Sequence, residues 1–219
     1  MKIVVKYAKK DSLCFVSHID TMRAIMRTLV RANLPVTYSS AVNHHMNLNC
    51  SHPLPLGVQS EAEYFVIECE DTVNLANVKE LLNQFSPKDL RVIWVKAITN
   101  KVNFCADVVA CEYTLRGNFS KNTQDYFNNI KNSATFVIEF IKREKIISQE
   151  VRNLIYNINI DANEIEVVLA IGRDNLRPDN FFEFINTKLE DKLQIFNIVK
   201  TRQYVMQNNA LVDVESTLL

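Results

Sequence analysis

The chain has 219 residues, long enough for one large domain or two of about 100 residues each. Lys and Arg number 25, and so do Asp and Glu, so no global field draws the protein to DNA or to an anionic membrane, and any anion site must be local. A 47% hydrophobic composition with no run of about 18 apolar residues, and an opening MKIVVKYAKK too short and too charged for a signal peptide, lead us to expect a globular cytoplasmic protein.

In chain order, KIVVKYA reads as a strand and KKDS as a turn into LCFV. Ser17 is placed as an N-cap, with Asp20 three residues on as its capping-box partner in the positive first turn. At about 100° per residue from Ile19, the residues Met22, Ile25, Met26, Leu29 and Val30 share one arc, and Arg23, Arg27 and Arg31 fall beside it. This helix is expected to run to about Asn33, with Pro35 marking its end. PVTYS follows as a second strand, residues 41–57 as an irregular loop carrying three of the four histidines, and EYFVIECE as a third strand. NLANVKELLNQF is the second helix and LRVIWVKAI the closing strand, giving β-α-β-β-α-β, the ferredoxin-like order.

The second half repeats the theme. FCADVVACEYTLRG reads as a strand, TQDYFNNIKNS as a helix, and ATFVIEFI and REKIISQE as partners across a charged turn at Lys142 to Glu144. Residues 151–160 are open between strand and short helix; EIEVVLAIG is a strand, PDNFFEFINTKL a helix with Pro178 in its first turn, and LQIFNIVKTRQYV the last strand. The expected fold class is therefore α+β: two tandem ferredoxin-like (βαββαβ) units, residues 1–100 and 101–219, packed as one compact body. A single mixed α+β sheet is the alternative. With three glycines in the chain, turns are expected to rely on Asn and Asp. Five widely spaced cysteines, none in a C-x2-C or C-x3-C-x2-C pattern, point to buried thiols in a reducing compartment and to no iron-sulfur cluster or other resident cofactor.

Three places could carry chemistry in the first half. Arg23, Arg27 and Arg31, beside His18 and Asp20, have no acid at i+4 or i−4; such guanidinium groups either hold phosphate or carboxylate ligands or pair with acids elsewhere, such as Glu61 and Glu63. In NHHMNLNCSHPLPLG, His44, His45, Cys50 and His52 are zinc-type donors without a regular zinc spacing, and His45 alone could act as a general acid or base. In GVQSEAEYF, Glu61 and Glu63 alternate along an incoming strand, either as partners for the arginines or as an acidic pair. In the second half, Gly172, Arg173 and Arg177 precede a helix N-terminus, a place suited to anions, and Arg202 could join them.

The run FVSHIDTMRAIMRTLVRANLPVTYS, continuing to PLPLGVQSEAEY, resembles the radical-SAM-linked protein family, a bacterial family of unassigned function. Ser17, His18, Asp20, Arg23, Arg27, Arg31, Ala32, Leu34, Pro35, Tyr38 and Ser39 keep its first pattern; Asn43, His45 and Pro53, then Leu54, Gly57, Ser60, Glu63 and Tyr64, keep its loop and strand patterns. RPDNFF and IVKTRQ look similar to later segments. Ala41, Val42, His44, Met46 and Asn47 depart from the usual loop. The resemblance implies a radical SAM protein as partner more than a reaction. A looser likeness, to CRISPR repeat-processing endoribonucleases, lacks their C-terminal glycine-rich loop, since the last 46 residues contain no glycine. The leading expectation is an accessory protein that binds RNA or presents a substrate through the helix-one surface, using His18, Asp20, Arg23, Arg27, Arg31, Asn43, His45, Ser60, Glu61 and Glu63, with Arg173 and Arg177 in the second half. The alternatives are a metal-independent endoribonuclease using His45, and a scaffold whose Arg and Glu residues form internal ion pairs.

Overall fold

β-Branched residues favour a pleated, packed environment, and in β1 (Lys2–Lys9) they are covered on both faces: Ile3, Val4 and Val5 are all fully buried. The computed structural model describes residues 1–40, 44–99 and 102–218. It is a mixed α+β protein whose chain divides into two units, Met1–Asp107 with Val212–Leu219, and Val108–Leu211.

In the first unit β1 lies between β4 (Leu90–Ile98) and β3 (Gln59–Glu68), antiparallel to both, and the short β2 (Leu48–Cys50) pairs with β3. Two amphipathic helices, α1 (His18–Arg31) and α2 (Leu75–Phe85), pack on one face of this sheet. Ile25 and Leu29 of α1 and Val78 and Leu82 of α2 meet Ile3, Val5, Tyr7, Phe65 and Ile67. On the other face Tyr64 stacks on Phe104 of the short α3 (Phe104–Asp107), with ring centroids 4.8 Å apart. There the C-terminal turn Val214–Thr217 brings in Glu215, which accepts a hydrogen bond from the Tyr64 hydroxyl at 2.8 Å and pairs with Lys6.

The second unit has the antiparallel order β10 (Ile198–Gln207), β5 (Val108–Arg116), β9 (Glu164–Ala170), β8 (Ile155–Ile160). Its helices are α4 (Lys121–Asn132) and α5 (Pro178–Lys188), whose Phe127, Phe181 and Phe182 rings lie 5.2 to 6.4 Å apart. A separate two-stranded ribbon, β6 (Val137–Lys142) with β7 (Lys145–Glu150), turns through Arg143 and Glu144, both left-handed at φ 49° and 64°.

Several boundaries differ from the sequence reading. PVTYS is not a strand: it contributes the isolated bridges Val36–Cys69 and Tyr38–Met46, and the second strand is Leu48–Cys50, inside the expected loop. FCAD is helical rather than extended, residues 151–160 resolve into a short 3-10 turn followed by β8, and Ile195–Asn197 is a 3-10 turn ahead of β10. Strand β11 (Ala210–Asp213) and the turn after it had no sequence counterpart. Left-handed Asp11, Asn33, Asn208 and Asn209 fit the expected use of Asn and Asp in turns.

Candidate functional site

The start of α1 is fixed from both sides. Buried Lys9, at the end of β1, donates through Nζ to the Val16 carbonyl at 2.7 Å. Ser17 Oγ accepts from the Asp20 amide at 3.1 Å and donates to Asp20 Oδ2 at 2.8 Å, and Thr21 Oγ1 donates to the Ser17 carbonyl at 2.8 Å. The far end closes in a Schellman arrangement, with left-handed Asn33 donating to Val30 O at 3.0 Å and Leu34 to Leu29 O at 3.2 Å. A helix held this firmly at both ends presents its outer face as a rigid surface.

That face carries the arginines, and all three are exposed. Arg23 pairs with Asp20 of its own helix, Nη1 to Oδ1 2.9 Å, an i,i+3 contact that the search at i±4 missed. The Ser17 hydroxyl and then the Arg23 guanidinium hold the Asp20 carboxyl below the usual carboxylate range, with Arg27 adding to the effect. Arg27 makes no hydrogen bond or ion pair among the described residues. Arg31 donates to the Phe85 carbonyl at 2.7 Å, tying α1 to the C-terminal end of α2. His18 opens the helix and is partly buried.

Glu61 and Glu63 go separate ways. Glu61 is exposed and pairs with Lys10, whereas Glu63 is 3% exposed and accepts from Ser51 Oγ at 2.9 Å. Ser60 is buried as well, its Oγ accepting from the Ala62 amide at 3.1 Å. These interior groups belong to the packing: burial and then the Glu63 charge push Cys50 up to about 12, so its thiol stays protonated.

His45 is exposed, and its backbone closes the loop onto Ser39. Its imidazole makes no hydrogen bond among the described residues. Asn43 lies outside the described residues. Cys50 is buried on β2 while His44 and His45 are exposed, and no three His, Cys, Asp or Glu side chains converge as metal ligands do among the described residues.

In the second unit Arg177 is engaged by Asp179, Nε to Oδ1 3.0 Å with a second bond through Nη2. Arg173 lies on the wall of a cleft of about 610 Å³ shared with Phe140, Gln149, Asn175 and Asn180. Arg202 sits 3.8 Å from Glu112, whose carboxylate also accepts from Thr201 and Tyr204.

The sequence reading missed the apolar company of the arginines: Phe15, Ile19 and Leu56 are all exposed around the start of α1. Phe15 falls in LCFV, the segment after the KKDS turn, for which the sequence suggests no function. Its spacing of four from Ile19 was the available signal.

Fold and site together define a two-unit α+β protein with an exposed, arginine-bearing helix face and no helix among the described residues long and apolar enough to cross a membrane. Residues 2–178 match the family described as uncharacterised protein conserved in bacteria (DUF2344), and because this span covers most of the sequence, the chain belongs to that family. No curated protein matches the chain.

Proposed function

We propose that this protein is a non-catalytic accessory protein that works in the cytoplasm beside a radical SAM enzyme and binds RNA through the exposed face of α1. One observation carries the reading: Arg23, Arg27 and Arg31 line an exposed helix face whose only acid is Asp20, and Arg27 makes no hydrogen bond or ion pair among the described residues. Guanidinium groups of this kind hold phosphate oxygens through two-pronged hydrogen bonds. In a chain of zero net charge, attraction to a polyanion is confined to such a local patch. The radical SAM partner rests on the resemblance carried by residues 17–64.

The fold reading that accompanies it is two tandem ferredoxin-like units, residues 1–100 and 101–219. It is supported by the two strand orders, β4-β1-β3-β2 and β10-β5-β9-β8, each of which runs fourth-first-third-second among the strands of its unit, with the β6–β7 ribbon as an insertion.

Filter binding of tRNA and rRNA fragments at about 50 and 200 mM salt tests the RNA half. Affinity is expected to fall steeply with salt, and Arg27→Ala to weaken every RNA alike while lowering the log–log slope by roughly 0.7 to 0.9. Absent binding, or binding indifferent to salt, sinks it. Affinity capture from a bacterial lysate tests the partner half, which fails if no protein with a C-x3-C-x2-C cluster motif is retained.

A further inference from the structure

We infer that the RNA held on this face is single-stranded, and that Phe15 is a platform on which one of its unpaired bases stacks; this rests on the RNA reading above. Within α1, Ile19, Arg23, Arg27 and Arg31 recur every fourth residue, a spacing that winds about 40° per step and keeps all four on the exposed side of the helix. Phe15 precedes α1, at the end of the 3-10 turn Asp11–Phe15, and extended Val16 and Ser17 join it to the helix start. All five are exposed, Phe15 at 67% and Ile19 at 61%.

A lone exposed apolar residue needs no explanation. Here there is a group. Leu56 is 60% exposed, Gly57 N donates to the Cys14 carbonyl at 3.0 Å, and a methyl group placed on Gly57 would lie 3.6 Å from Phe15 Cε1. The phenyl ring thus lies beside Gly57 and is two-thirds open to solvent. Its backbone is also fixed, with Leu13 N donating to Lys10 O at 3.0 Å, Val16 N to Leu13 O at 2.9 Å, and Lys9 Nζ to Val16 O. A preformed platform loses little freedom when a ligand arrives.

The start of α1 is therefore an exposed aromatic and apolar patch, Phe15, Ile19 and Leu56, and the exposed helix face that continues from it carries the three arginines. A single-stranded polynucleotide matches both, because each nucleotide offers a flat π face and a phosphate. A duplex offers the phosphates but keeps its bases stacked inside, and would leave Phe15 and Ile19 unused.

The test is fluorescence anisotropy of the whole protein with a labelled, unstructured RNA of about 20 nucleotides and with the same bases closed into a hairpin duplex. The wild type is expected to prefer the single strand. Phe15→Ala is expected to lose roughly tenfold on the single strand and nothing on the duplex, at an unchanged salt slope. Phe15→Trp should keep the affinity, and Phe15→Leu, apolar but without a π face, should not. Arg27→Ala should weaken both RNAs. Thermal melts check that the surface variants remain folded. A duplex bound as tightly as the single strand, or wild-type affinity in Phe15→Ala or Phe15→Leu, overturns the inference and leaves the RNA reading standing. Wild-type protein that binds neither RNA overturns the RNA reading itself; a protein then retained by the wild type and lost by Phe15→Ala reassigns the patch to a protein partner.

Discussion

At the scale of single residues, Ser17 does the most for the site without touching a ligand. Its hydroxyl satisfies an otherwise unpaired amide at the start of α1 and orients Asp20 toward Arg23. Ser17→Ala is expected to cost about 1 kcal/mol in urea unfolding, typical for a lost N-cap, whereas Arg23→Ala, breaking an exposed pair, should change stability by under about 1 kcal/mol. The cap was legible because Ser and Asp three residues apart ahead of an apolar arc have few other meanings. The carboxylates were not. Spacing of two puts Glu61 and Glu63 on one face of an ideal strand, but the register of β3 against β1 shifts between Tyr7 and Lys9, opposite this stretch, and the two acids end in water and in the interior respectively.

At the scale of elements, helices were easier to read than short strands. α1, α2, α4 and α5 all show helical periodicity, and the start signals Ser17 and Pro178 are legible in the sequence, while the caps Asn74 and Ser120 come from the structure, which starts α4 at Lys121, two residues before TQDYFNNIKNS. The segment PVTYS has strand-like residues yet gains only isolated bridges, since Pro35 has no amide to donate and pairing with β3 passes to Leu48–Cys50. The β6–β7 ribbon was legible as a pair, but its turn defies the expectation of Asn or Asp. A two-residue hairpin turn of the I′ kind has positive φ at both positions, and here Arg143 and Glu144 adopt it at a cost that Asn and Gly would not bear. Replacing them together, Arg143→Asn with Glu144→Gly, should stabilise the protein by about 0.5 to 1 kcal/mol, read as a rise in thermal midpoint.

At the scale of the whole molecule, the first unit is discontinuous: Met1–Asp107 is completed by Val212–Leu219, a return that no local pattern in the sequence signals. Glu215 is the clearest sign. Burial tends to raise its pKa, but hydrogen bonds from Lys6, Tyr64 and Trp94 outweigh that and hold it below the usual carboxylate range. The folded protein therefore binds this proton less readily than the unfolded chain. The stabilisation is present above the ordinary carboxylate pKa of about 4.3 and is lost as pH falls through the lower folded value. Urea midpoints of the wild type should drop as pH falls below about 4.3; Glu215→Gln should be less stable near neutrality and show a smaller drop. An equal acid sensitivity in the two proteins would place the titrating group elsewhere.

The same contact sets an order in time. Lys6 and Glu215 are 209 positions apart, so at ribosomal speeds of about 5 to 20 residues per second the lysine emerges roughly 10 to 40 s before the carboxylate that neutralises it. The unit that begins first is finished last, and during synthesis its Lys6, Tyr64 and Trp94 face must wait, open, until the second unit has been made.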